Sequence, residues 1–165
     1  MMDKTKKKSQ DPLKKYRTEN PRQFQMMETR KKLMDNLDEI KDKMKILVEK
    51  HGLGFLPLLF VCSDTASDIM QISDIPSDFE KERVLANRMG EVTASVIKDA
   101  YGFILVSVMD DKDIALDARS INGEEKVAFL SKETPAEWME ENKTDTFLGQ
   151  LWTAYRVNLI TNISV

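Results

Sequence analysis

The most constraining feature of the chain is an apolar stripe in its first third. Phe24, Met27, Met34, Leu37, Ile40, Met44, Leu47 and Val48 recur at intervals of mostly three or four, the period of an amphipathic helix. Asn20 and Pro21 supply an N-cap and a first-turn proline whose missing N–H is not needed there, and Gly52 supplies a stop. The spacing predicts one long helix over 21–50. Its other face carries Arg30, Lys31, Asp35, Asp38, Asp42 and Lys45, some at ion-pair spacing, which suits water. A helix of about 29 residues is ~43 Å long, more than the width of a compact domain of this size. Part of it is therefore expected to project, and Phe24, Met26 and Met27 are the least able to reach the core. An apolar stripe without a partner in its own chain finds one elsewhere. Phe24, Met27 and Met34 are thus the expected contacts of a homodimer or of another protein. The competing expectation is a bent or broken helix that wraps its own domain.

Beyond the helix the apolar pattern changes to strands. Leu56 to Cys62 is a continuous apolar run, with Pro57 at a strand start or edge, and Asp68 to Ile75 is its expected hairpin partner. Ser77 followed by Glu80 has capping-box spacing and opens a second helix ending near Ala100, with Leu85, Met89, Val92 and Val96 facing the core. Gly90 inside it costs about 1 kcal/mol against Ala, so a close packing contact is expected there. Tyr101 to Met109 is apolar on both alternating faces, as a strand covered on both sides requires. Ile114 to Arg119 forms a short extended piece. Asn122-Gly123 marks a turn before a strand over Lys126 to Leu130. Pro135 to Asn142 suggests a helical turn that packs Trp138 and Met139, and alternation from Leu151 nearly to Val165 suggests a half-exposed strand. The expected fold is α+β: a mostly antiparallel sheet of about five strands, with the long N-terminal helix and a second helix on one face, in the order α-β-β-α-β-β-β.

Length and composition agree with one domain over 21–165. The 165 residues, 41% hydrophobic and 32% charged, bury one ordinary core. No apolar run reaches the roughly 18 residues that span a bilayer. A lone cysteine, Cys62, closes no intramolecular disulfide, and the N-terminus has no apolar segment after its charges, so a cytoplasmic location is expected. Residues 1–50 hold 15 Lys and Arg against 9 Asp and Glu, in a chain whose net charge is −3. Residues 1–20 read as a disordered basic arm carrying Lys4, Lys6, Lys7, Lys8, Lys14 and Lys15.

Enzyme signatures are mostly absent: no Gly-rich dinucleotide or Walker loop, no nucleophile elbow and no zinc-ligand spacing occurs. No cofactor is expected. His51, beside Gly52, is placed to favour the negative end of a helix, and Cys62 reads as a small buried hydrophobe. Asp110, Asp111 and Asp113 follow the apolar strand, where carboxylates can gather around a hard cation. With Glu124-Glu125-Lys126 this resembles the acid-then-E-x-K arrangement of restriction-endonuclease-like nucleases. Here Gly123 precedes the glutamates and the proline that starts the family motif is missing. Ser63, Asp64, Thr65, Ser67 and Asp68 form a polar cluster that turn chemistry explains. Trp138, Trp152 and Tyr155 fit core packing better than base stacking, because only Arg156 is adjacent. Three functions follow in order of support. The first is a non-enzymatic interaction protein acting through the long helix. The second is sequence-independent nucleic-acid binding through the basic arm, and the third is a metal-dependent hydrolase or nuclease around Asp110, Asp111, Asp113 and Glu124.

Overall fold

A computed structural model describes residues 19–65, 67–72, 74–109, 112–131 and 146–163. Within them the chain runs α1 (Pro21–His51), β1 (Leu58–Ser63), β2 (Asp68–Gln71), α2 (Phe79–Val96), β3 (Ala100–Val108), β4 (Ile114–Ser120), β5 (Glu125–Phe129) and α3 (Phe147–Ile163). The strands form one sheet in the order β2-β1-β3-β4-β5, and all neighbours pair antiparallel. The fold is α+β, and its first seven elements follow the order expected from sequence.

Helices cover both faces of the sheet, not one. Leu33, Leu37, Ile40 and Met44 of α1 pack on Ile104 and Val106 of β3 and on Leu116 and Ala118 of β4. Phe103 and Leu105, which alternate with them on β3, point to the other side, where α2 and α3 pack. This two-sided burial is why β3 reads as an unbroken apolar run. The approach of α1 is close at Gly102, where an added Cβ would lie 2.7 Å from Leu33 Cδ1.

On the second face α2 and α3 cross at Gly90. A Cβ there would lie 2.6 Å from Ala154 Cβ and 2.9 Å from the Leu151 carbonyl oxygen, so the expected close contact is present. The buried side of α2 is Ala86, Gly90, Thr93 and Ala94. The stripe expected there is displaced: Leu85 and Met89 are half-buried, and Val92 and Val96 are exposed. Small residues face α3 because they alone allow so close a crossing. Asp78, not Ser77, is the N-cap, and its carboxylate accepts from the N–H groups of Glu80 and Lys81. The helix stops at Val96, short of Ala100.

The expected C-terminal strand is the helix α3. Phe147, Leu148, Leu151, Trp152, Ala154 and Tyr155 are buried at helical spacing. The apparent alternation came from a segment apolar on most sides, in which a period of two and one of 3.6 overlap. Tyr155 locks the helix in place. Its hydroxyl donates to the Ile97 carbonyl at 2.6 Å and accepts from the Ala100 N–H at 3.1 Å, and its ring meets Phe103 edge-on at 5.1 Å. The segment holding Trp138 and Met139 lies outside the described residues.

Candidate functional site

Because α1 lies over β3 and β4, the described residues leave the same face of β1 and β2 partly open. The pleat directs Leu58, Phe60 and Cys62 toward α1. Cys62 lies beneath the helix, whereas Leu58 and Phe60 are only half-buried. Ile69 of β2 sits opposite Phe60 and is 59% exposed. Between this floor and the flank of α1 runs a groove of about 340 Å³, walled by Asn36, Lys43 and Leu47 on the helix side and by Ser67 and Asp68 on the strand side.

One outward amide at the edge of β2 is guarded. The Ile72 N–H bonds inward to the Pro57 carbonyl, so alternation aims the main-chain groups of Ile69 and Gln71 outward. The Ile69 N–H is taken by Asp68 Oδ1 at 2.9 Å. The Asp68 carboxylate thus occupies one of these two outward amides, which weakens the edge as a template for strand addition at Ile69.

The three residues expected to contact a partner differ in position. Phe24 is buried and Met34 is half-buried against the α1-side core. Met27 is 49% exposed and borders, with Phe24, Lys31 and Asp35, a recess of about 480 Å³. The first turns of α1 do not stand free as expected. Arg30 forms an ion pair with the buried Glu124, which ties that half of the helix to the β4–β5 turn. The helix is not broken; it runs continuously from Pro21 to His51. Its exposed apolar side chains are Met27 and Ile46.

The Ser63 to Asp68 cluster is consumed in joining loops. Ser63 Oγ and Thr65 Oγ1 each donate to the Asp99 carboxylate at 2.7 Å, and those bonds hold its pKa below the usual value. Lys32 Nζ pairs with Asp64 at 2.7 Å, and Asn36 hydrogen-bonds Tyr101. The polar cluster thus binds the β1–β2 turn to α1 and to the start of β3.

The expected acidic constellation does not assemble from Asp113 and Glu124. They flank opposite ends of β4, about 20 Å apart at 3.3 Å per residue. Asp113 accepts from the Ile114 N–H and from the Ser131 hydroxyl, while Glu124 pairs with Arg30. Asp110 and Asp111 lie outside the described residues. Among the described residues no group of three or more His, Cys, Asp and Glu is placed to hold a metal ion. Cys62 is buried as expected, and burial pushes its thiol up to about 12, far from a nucleophilic thiolate. His51 is exposed in the last turn of α1, where Gly52 donates its N–H to the Val48 carbonyl.

Sequence reasoning missed one buried polar group. Arg119 is fully buried, pairs with Glu125 at 3.5 Å and stacks against Trp152 at 5.4 Å, with Arg156 on the ring at 4.7 Å. Asp117, two residues before Arg119, shares a hydrogen bond with Glu125. Burial foremost, and then the neighbouring Glu125 charge, drive its pKa well up. The available clue was the alternation of Asp117 and Arg119 on one strand face, with Glu125 just past the Asn122-Gly123 turn. These groups face α3 within the fold, and Trp152 and Tyr155 are buried, so neither ring is a platform for a base.

The basic-arm residues Lys4, Lys6, Lys7, Lys8, Lys14 and Lys15 lie outside the described residues. Among the described residues no helix is long and apolar enough to cross a membrane. Compared with protein-family models, with curated proteins and with solved structures, the chain matches none.

Proposed function

We propose that the protein is a non-enzymatic binding module that holds a polypeptide partner in the groove between α1 and the β1–β2 face. The observation that carries this reading is the half-covered sheet: α1 roofs β3 and β4, while Ile69 is 59% exposed beside the half-buried Phe60. Contiguous apolar surface of this kind marks interaction sites. The long helix serves as the wall of the site, and its own stripe is largely used for folding.

Display of random peptides against the full chain tests the proposal. Peptides that bind the parent and lose binding to Ile69→Asp support it. A library that yields no binder, or binders indifferent to Ile69→Asp, contradicts it. Ile69 is exposed at the sheet edge, so the variant keeps the core intact.

A further inference from the structure

We draw no further inference here: the strongest candidate, the apolar groove between α1 and the β1–β2 face, belongs to the site already described, and nothing in the structure shows the chemistry of what covers it.

Discussion

Gly90→Ala is the substitution whose effect the fold predicts most specifically. Considered alone, α2 gains about 1 kcal/mol from replacing Gly by Ala in its interior. At the crossing, however, the new Cβ would lie 2.6 Å from Ala154 Cβ and 2.9 Å from both the Leu151 carbonyl oxygen and the Tyr155 nitrogen. Carbon atoms in contact prefer about 3.5–4.0 Å, so the helices must part by about 1 Å. Two of the obstructing atoms are backbone, which no side-chain rotation clears. Overpacking costs about 1–3 kcal/mol and occasionally more, and a rigid obstacle belongs at the upper end of that range. With the propensity gain subtracted, a net loss of about 2 kcal/mol is expected, or a fall in Tm of roughly 4–8 °C for a chain this long. Thermal unfolding followed by circular dichroism measures it. Asn87→Ala, at an exposed position of the same helix, is the control. It meets no obstacle and should gain about 0.5 kcal/mol from propensity alone. Adding Ala154→Gly to Gly90→Ala should restore only part of the loss, because the backbone contacts remain. A Gly90→Ala protein that melts higher than the parent would refute the close crossing.

Other consequences can be checked with the same purified chain. Tyr155→Phe keeps the ring against Phe103 but strands the buried Ile97 carbonyl and Ala100 N–H, and should cost about 1–3 kcal/mol in urea denaturation. Arg30→Met leaves the carboxylate of Glu124, only 2% exposed, without its ion-pair partner. The loss should be about 3 kcal/mol, the low end for a buried pair because Arg30 reaches solvent, and adding Glu124→Gln should recover part of it in a double-mutant cycle. Asp117 has a raised pKa in the fold, so the folded protein holds a proton there that the unfolded chain releases above about pH 4. Its contribution is therefore fully present at acid pH and is lost as pH rises toward the native value. Asp117→Asn should match the parent in stability near pH 4 and exceed it at neutral pH, and equal stability profiles across that range would contradict the assignment.

Much of this architecture was legible from local patterns. The α1 stripe, the unbroken apolar run of β3, the Asn122-Gly123 turn and Gly90 each carry a physical requirement in the residues themselves. What was not legible depends on three-dimensional partners. Which side of α2 faces inward follows from α3 crossing at a glycine, so Ala86 and Ala94 displace the larger Val92 and Val96. Helix α3 is apolar over most of its circumference, which removes the contrast that distinguishes helix from strand. The N-terminal half of α1 was expected to project because Arg30 gave no hint of its partner, Glu124, more than ninety residues away in sequence. The groove was equally hidden, since among the described residues it arises where α1 crosses two strands and leaves two others open.

Methyl-resolved NMR provides the most direct measurement of that opening. As a peptide selected by display is titrated into the full chain, the methyl resonances of Leu58, Ile69 and Leu47 should shift together and saturate, while those of Val84 and Val92 on the outer side of α2 stay fixed. Shifts centred on α2, or no saturable shift anywhere on the β1–β2 face, would contradict the account.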